Sequence, residues 1–135
     1  IASRLAAEIY DLDILAEDIE DAAHNTTRFL ILSGKTNSLP CDGSKVVTSL
    51  VFKVRSVPSA LYKALGGFAT NGLNITKLES YMVGGSFTAA QFYMDVEGHP
   101  DEEPMKHALD ELSFFSETIK MLGTYKAHTA RSQSR

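Results

Sequence analysis

Five consecutive residues near the start of the chain combine groups that could bind and protonate an anionic substrate. Asn25, Thr26, Thr27, Arg28 and Phe29 place an amide, two hydroxyls and a guanidinium side by side, ahead of an apolar run. A guanidinium binds a carboxylate through two parallel hydrogen bonds, and a positioned hydroxyl can donate a proton in a transition state. The pattern predicts a site for a small dicarboxylate. A hydroxyl-rich turn with Arg28 in an ordinary ion pair would explain the same residues.

A second candidate site is the loop of residues 56–61, which we call the helix-start loop. Pro58 has the fixed φ that suits the beginning of a helix, and Leu61, Ala64 and Phe68 follow at helical spacing. The first turn of a helix has unpaired backbone N–H groups at the positive end of the helix dipole, which suit the carboxylate of a small ligand. The pattern favours a regulatory pocket over a catalytic one. Pro58 and Gly72 would also serve as plain helix boundaries.

The other reactive residue types show no spacing typical of a site. The histidines lack the spacing of metal ligands, and each is interpreted as a surface or locally hydrogen-bonded residue: His24, His99, His107 and His128. The single cysteine, Cys41, cannot form an internal disulfide and has no base nearby in the sequence. We therefore predict no metal site at these residues.

Residues 45–128 have the pattern of a ferredoxin-like domain. Strands are expected at 46–55, 73–83, 86–96 and 117–126, with one helix after Pro58 and a second helix capped by Asp101. Gly84 and Gly85 suit the turn of a hairpin between the second and third strands. The order β-α-β-β-α-β predicts an α+β fold with an antiparallel four-stranded sheet and both helices on one face.

Residues 1–33 form a separate section. Their spacing predicts a helix at 1–10 with no capping residue ahead of it, and strands at 12–19 and 27–32, the second buried on both faces. Residues 34–44 are rich in Gly, Asn, Ser, Pro and Asp and are interpreted as a linker, and the polar residues 129–135 as a disordered tail. We expect residues 1–33 to be the end of a domain whose larger part precedes Ile1.

The composition narrows the class of protein. The chain has 135 residues, of which 44% are hydrophobic and 22% charged, as expected for one globular core. A formal charge of −4, with no cluster of Lys and Arg, argues against nucleic acid or an anionic membrane as partner. No apolar run approaches the roughly 20 residues that span a bilayer. We therefore expect a cytoplasmic protein.

Two motifs, in this order, resemble those of prephenate dehydratases. Thr27-Arg28-Phe29 resembles the Thr-Arg-Phe motif that closes the catalytic domain of that family. Residues 57–80, which end in Leu78-Glu79-Ser80, resemble an ACT domain, the amino-acid-sensing module that follows the catalytic domain. The resemblance implies an enzyme of phenylalanine biosynthesis that converts prephenate to phenylpyruvate, water and CO2, and it implies no metal or organic cofactor. Residues 1–33 would be the catalytic remnant and 45–128 the ACT domain, and the fragment alone would be inactive.

The same resemblance implies roles for particular residues. Thr27 would help to protonate the leaving 4-hydroxyl of prephenate, Arg28 would contact the substrate or support the site, and Phe29 would pack near the ring. L-phenylalanine would be the effector, bound between two ACT domains of a homodimer or higher homo-oligomer. Its carboxylate would lie on the N–H groups of residues 59–61. The effector-binding residues would be Ser56, Ser59, Ala60, Leu61, Leu73, Asn74, Glu79 and Ser80.

Two departures from the family pattern leave the effector's identity and the sign of regulation open. Ser59 stands where the family has glycine, and Tyr81-Met82 stands where it has Arg-Pro. An alternative is an ACT module that regulates another amino-acid enzyme or acts alone as a sensor. The motif around Thr27 argues against that alternative, because a free-standing sensor would not need it.

Overall fold

The computed structural model describes residues 1–21, 27–35, 39–82 and 90–128. The chain divides into two compact units, Ile1–Ser33 and Gly34–Arg135. Several predictions lie outside the described residues: the roles of His24, Asn25 and Thr26, the hairpin turn at Gly84 and Gly85, and the tail at 129–135.

Among its described residues, the first unit contains one short helix. Helix α1 spans Arg4–Tyr10, and the hydroxyl of Ser3 accepts a hydrogen bond from the N–H of Ala6 at 3.2 Å. The expectation of an uncapped helix was therefore wrong, because Ser3 is an N-cap of the preferred type. Asp11 ends the helix in the left-handed conformation, with φ of 50°.

The strands predicted at 12–19 and 27–32 are absent from the described residues of this unit. Residues 29–32 are exposed instead of buried on both faces; the side chain of Ile31, for example, is 99% exposed. A strand needs neighbouring strands to satisfy its backbone N–H and C=O groups, and the described residues of this unit supply none. The apolar pattern is therefore present without the structure that it predicts.

The second unit has the predicted ferredoxin-like fold. Its elements are β1 (Val46–Val54), α2 (Ala60–Thr70), β2 (Ile75–Met82), β3 (Ala90–Glu97), α3 (Glu103–Phe115) and β4 (Ser116–Lys126). The strands form one sheet in the order β2-β3-β1-β4, and every neighbouring pair is antiparallel. The α+β prediction is confirmed.

Both helices lie on one face of the sheet and enclose the core. Phe52 of β1 and Phe92 of β3 stack with ring centroids 5.4 Å apart, and Phe68 of α2 is fully buried. The helices add small and medium-sized side chains that complete the core: Ala64, Met105, Ala108 and Leu112. Burial of this apolar surface is the main force that holds the helices on the sheet.

Two local details differ from the prediction. The N-cap of α3 is Glu102, not Asp101, and Pro104 occupies the first turn, where its missing N–H costs nothing. Helix α2 begins at Ala60, two residues after Pro58, so that Pro58 lies in the preceding turn. Gly72, with φ of 69°, takes the left-handed conformation predicted for it after α2.

Close packing of α2 on α3 gives a first testable prediction. A Cβ on Gly67 would lie 2.8 Å from the Cβ of Glu111, whereas a Cβ on Gly66 would meet nothing within 4 Å. We expect Gly67→Ala to lower the free energy of unfolding by about 1–3 kcal/mol, because the helices must move apart. The neighbouring Gly66→Ala should be neutral or stabilising by about 0.5–1 kcal/mol. Urea unfolding of both variants tests this, and equal effects would contradict it.

Within the described ranges, no helix has both the length and the apolar character needed to cross a membrane. The same residues contain no group of three His, Cys, Asp or Glu side chains arranged to hold a metal ion.

Candidate functional site

The helix-start loop presents unpaired N–H groups. The N–H of Ala60 donates to the carbonyl of Val57 at 3.1 Å, and the first bond of the helix runs from the N–H of Lys63 to the carbonyl of Ser59 at 3.0 Å. The N–H groups of Leu61 and Tyr62 have no partner in the described part of the chain. An anion at this point would therefore accept from Leu61 and Tyr62. The N–H of Ala60 is already bonded to Val57, so its contribution to a ligand site stays a prediction.

Ser59 holds an unfavourable backbone conformation at the start of α2. Its φ of 58° and ψ of 25° are left-handed, and its side chain makes no capping hydrogen bond. Outside glycine this conformation costs about 1–2 kcal/mol. The glycine that ACT domains carry at this position would adopt it freely. The departure at Ser59 therefore keeps the loop geometry, adds strain and leaves the first helical turn uncapped.

Asn74 is fixed at the beginning of β2. Its side-chain amide donates to Glu97 Oε2 at 2.9 Å, and the N–H of Glu97 donates to the carbonyl of Asn74 at 2.9 Å. Because a carboxylate only accepts, the NH2 group of Asn74 faces Glu97, and its Oδ1 remains as an acceptor. An exposed, oriented acceptor of this kind suits an ammonium group.

The helix-start loop and Asn74 lie at opposite ends of the domain. They are separated by α2, whose 11 residues span about 16 Å along the helix axis. A ligand of the size of an amino acid cannot contact both within one copy of the chain. A pocket that uses both sets of residues requires two copies, each contributing one end of its domain.

Glu79 and Ser80 project from opposite faces of the sheet. Ser80 pairs with the core residue Phe92 and shares the helix side with Leu61 and Leu73, which pack against the core. Glu79 lies on the helix-free face, where Lys77 Nζ is 2.9 Å from its Oε1 and the Tyr81 hydroxyl donates to its Oε2 at 2.7 Å. The bond from Tyr81, then that from Lys77, holds the pKa of Glu79 below its ordinary value. The structure therefore separates Glu79 from the rest of the predicted set.

Two residues of the predicted set remain, Ser56 and Ala60. Ser56 is exposed in a bend before α2, whereas Ala60 is buried. The side chain of Ser56 makes no hydrogen bond within the described ranges, and the side chain of Ala60 has no group that could make one. In the predicted site, these two residues would contribute through the path of the backbone that leads to Leu61.

A buried polar cluster on the helix-free face escaped the sequence analysis. Ser49 donates to Asp95 Oδ1, and the Tyr93 hydroxyl donates to the same oxygen at 2.7 Å. Tyr125 lies 3.0 Å from the hydroxyl of Ser49. Burial raises the pKa of Tyr93. The signal in the sequence was a serine directly before Leu50 and an aspartate between Met94 and Val96, two polar residues that need hydrogen bonds when they are buried.

The predicted catalytic residues lie in the first unit. Thr27, Arg28 and Phe29 are exposed and belong to no strand. The described residues of that unit do not enclose a substrate around them. The three residues are neighbours in the chain, but the described residues do not include the further residues that would complete a catalytic site around them.

Comparison with known proteins identifies relatives over nearly the whole chain. A family model described as Prephenate dehydratase matches residues 1–37. A bifunctional N-acyl-homoserine lactone acylase/prephenate dehydratase of Komagataeibacter europaeus is 57% identical over 131 residues, which cover 97% of this chain and 47% of that protein. The chain therefore spans about half the length of this relative.

Two solved structures are similar to the chain. One, described as GqqA, a novel type of quorum quenching acylases, has 57% identity and a TM-score of 0.85 over 97% of this chain and 47% of its own. The other is prephenate dehydratase of Arthrobacter aurescens in complex with L-Phe, with 26% identity and a TM-score of 0.57 over 70% of this chain and 30% of its own.

Proposed function

We propose that the chain, which is similar to prephenate dehydratases over part of their length, carries the end of a dehydratase catalytic domain and an ACT domain that binds L-phenylalanine. The observation that carries the proposal is the 57% identity over 97% of the chain with a protein named as a prephenate dehydratase. The open helix start and the oriented amide of Asn74 support the regulatory part.

In the catalytic step, Thr27 would act on the substrate's leaving group. Its hydroxyl donates a proton to the 4-hydroxyl of prephenate as the C–O bond breaks and water leaves. The electrons of the bond to the departing CO2 enter the ring, which becomes aromatic, so that the product is phenylpyruvate. Arg28 would bind a substrate carboxylate, and Phe29 would pack near the ring. No external electron acceptor is needed, because the loss of CO2 balances the loss of hydroxide.

The effector pocket would be shared between two copies of the chain. The carboxylate of phenylalanine would accept from the N–H groups of Leu61 and Tyr62 in one copy. Its ammonium would donate to Oδ1 of Asn74 in the other copy, since the two groups lie too far apart in one copy. An antiparallel side-by-side pair, with β2 next to β2, would bring opposite ends of the two domains together. Ser80, on the helix side of β2, is placed to line such a pocket.

We expect the chain to form at least a dimer. Strand β2 lies at an edge of the sheet and exposes apolar side chains, with Met82 57% and Leu78 38% exposed. Pairing with a second copy would cover both features. Sedimentation equilibrium at micromolar concentration tests this expectation, and a monomer would contradict both the dimer and the shared pocket.

We expect L-phenylalanine to bind this dimer at one site per chain. Calorimetry with L-phenylalanine, D-phenylalanine, L-tyrosine and L-tryptophan gives the test, with the D enantiomer as a control for placement of the carboxylate and ammonium. Preference for the L enantiomer is expected, because the two groups contact fixed partners in different copies. Absence of heat up to millimolar L-phenylalanine would refute the effector assignment.

The activity itself requires a longer protein. We expect the 135-residue chain to form no phenylpyruvate from prephenate above the spontaneous rate, because Thr27 and Arg28 provide only one wall of a site. The full-length protein should catalyse the reaction. Catalysis by the 135-residue chain alone would show that no residues outside it are needed to complete the site. An inactive full-length protein would favour the alternative of an ACT module that serves another function.

A second candidate activity for the full-length protein is hydrolysis of N-acyl-homoserine lactones. It is favoured by one observation, the name of the 57% identical relative, which combines this acylase with prephenate dehydratase. The test is to incubate the full-length protein with a long-chain acyl-homoserine lactone and to measure the fatty acid that is released. Release of the fatty acid would show that the protein has the acylase activity in addition to the dehydratase activity.

A further inference from the structure

A buried histidine connects the domain to the segment that precedes it. His99 follows β3, and only 6% of its surface is exposed. Its Nε2 lies 3.0 Å from the carbonyl oxygen of Leu39, sixty residues earlier in the chain. Its Nδ1 accepts a hydrogen bond from the N–H of Asp101 at 3.1 Å. Because Nδ1 accepts and a carbonyl can only accept, Nε2 must carry the proton and donate to Leu39.

The residues after Leu39 make hydrogen bonds among themselves, and the residue that follows them is bonded to the domain. We call residues 39–44 the distal linker. Asp42 accepts a hydrogen bond from the N–H of Ser44 at 3.0 Å, and the bonds from Ser44, its side chain first, hold the pKa of Asp42 below its ordinary value. The carbonyl of Lys45, the next residue, accepts from the N–H of Ala127 at 3.0 Å. The distal linker therefore runs between two residues that are bonded to the domain, Leu39 and Lys45.

The histidine is close in sequence to the proposed effector contact. Asn74 is bonded to Glu97 by both side chain and backbone, and Glu97 is followed directly by Gly98 and His99. Gly98 has φ of 132°, and a Cβ there would lie 3.1 Å from Cε of Met105 and 3.3 Å from Oε2 of Glu102. This tight packing allows little independent movement between Glu97 and His99. A shift of Asn74 can therefore reach the hydrogen bond between His99 and Leu39 through Glu97 and Gly98.

We propose that His99 is a positioning residue that clamps the distal linker and transmits the state of Asn74 to it. The transmission step rests on the proposed effector function, whereas the clamp itself does not. When the effector contacts Asn74, the position of Glu97 changes, the His99–Leu39 bond is strengthened or released, and the segment leading to the first unit gains or loses its anchor. Only a ligand that binds the two arrangements with different affinity can drive this change.

The chain provides its own reporter for the clamp. Cys41 is the single cysteine, is exposed, and lies two residues from Leu39. A nitroxide spin label on Cys41 therefore measures how firmly the distal linker is held.

Two conservative variants separate the Leu39 bond from the rest of the histidine's contacts. In His99→Gln the side-chain amide nitrogen reaches the position of Nε2 and can still donate to Leu39. In His99→Asn the side chain reaches only the position of Nδ1, so it can accept from Asp101 but cannot reach Leu39. The exposed His107, with 63% of its side chain accessible, gives the control His107→Asn on the same domain.

Electron paramagnetic resonance on the labelled full chain tests the clamp. The spectrum of the wild-type chain, His99→Gln and His107→Asn should show a slow component, and His99→Asn should shift toward the fast component while circular dichroism stays unchanged. A slow component retained in His99→Asn, or lost equally in His99→Gln, would overturn the clamp.

Addition of L-phenylalanine tests the transmission. The wild-type spectrum should change at the concentration at which calorimetry detects binding, whereas His99→Asn should bind phenylalanine with no further spectral change. If phenylalanine binds the wild type and the spectrum does not change, the transmission is wrong. If phenylalanine does not bind, the effector assignment fails, and the comparison of His99→Asn with His99→Gln still decides the clamp.

Discussion

Replacement of Thr27 by alanine in the full-length protein is expected to lower kcat for prephenate by about 10²–10⁴-fold, the range typical for loss of a positioned proton donor. The hydroxyl of Thr27 would act on the leaving group in the transition state, when the C–O bond breaks, and contribute less to binding of the ground state. We therefore expect KM to change much less than kcat. Stopped-flow or steady-state measurement of phenylpyruvate formation gives both constants.

The matched control is Thr27→Ser, which keeps the hydroxyl and removes a methyl group. It should retain most of the activity, whereas Thr27→Val keeps the shape, removes the hydroxyl and should behave like Thr27→Ala. A valine variant as active as the serine variant would show that the residue at 27 supports packing and does not donate a proton. The assignment of Thr27, and with it the use made of the Thr-Arg-Phe motif, would then be wrong.

The fold of the second unit could be predicted because its signals are local. The glycine after α2, the apolar positions of α2 and α3 and the alternation in the strands each specify one element, and the order of elements restricts the topology. The strand prediction at 27–32 failed for a different reason. The segment does contain the apolar side chains typical of a buried strand, but a strand also needs neighbouring strands to pair with, and the sequence pattern of one segment does not show whether these are present.

A similar limit applied within β4. Met121 and Tyr125 are four residues apart, which in a regular strand places them on one side of the sheet, but the register shifts, so that Leu50 pairs with Met121 and Ser49 pairs with Gly123. The extra residue of this bulge turns Tyr125 to the helix-free face, where it approaches Ser49. A one-residue irregularity of this kind leaves no clear signal in the pattern of apolar residues.

The candidate site could be predicted only as a set of residues. The sequence identified the helix-start loop and Asn74 but did not indicate that Ala60 uses its N–H for a turn or that Glu79 faces away from Leu61. These facts depend on strand register and on the exact beginning of α2. The clamp residue His99 was interpreted as locally hydrogen-bonded, which holds for its bond to Asp101, but its bond to Leu39 spans sixty residues. Long-range bonds of single side chains require the structure.

Replacement of Asn74 by alanine is expected to weaken binding of L-phenylalanine by about 10- to 100-fold, because a hydrogen bond to a charged group contributes about 1.5–3 kcal/mol. The bond at issue joins Oδ1 of Asn74 to the ligand's ammonium. Glu97 holds the amide in place from its other side at 2.9 Å, so the acceptor is oriented before the ligand arrives. Titration calorimetry on the dimer measures the change in Kd.

Asn71 offers a matched control three residues away. Its side-chain amide also donates a hydrogen bond, at 2.7 Å, but to the carbonyl of Gly67 within α2. Asn71→Ala should therefore cost about 1 kcal/mol of stability and leave Kd unchanged, while Asn74→Ala weakens binding. Asn74→Asp adds a second test, because a carboxylate beside Glu97 repels its neighbour in the free protein yet still accepts from an ammonium. If Asn71→Ala and Asn74→Ala weaken binding equally, the loss reflects the stability of the helix end, and Asn74 does not contact the effector.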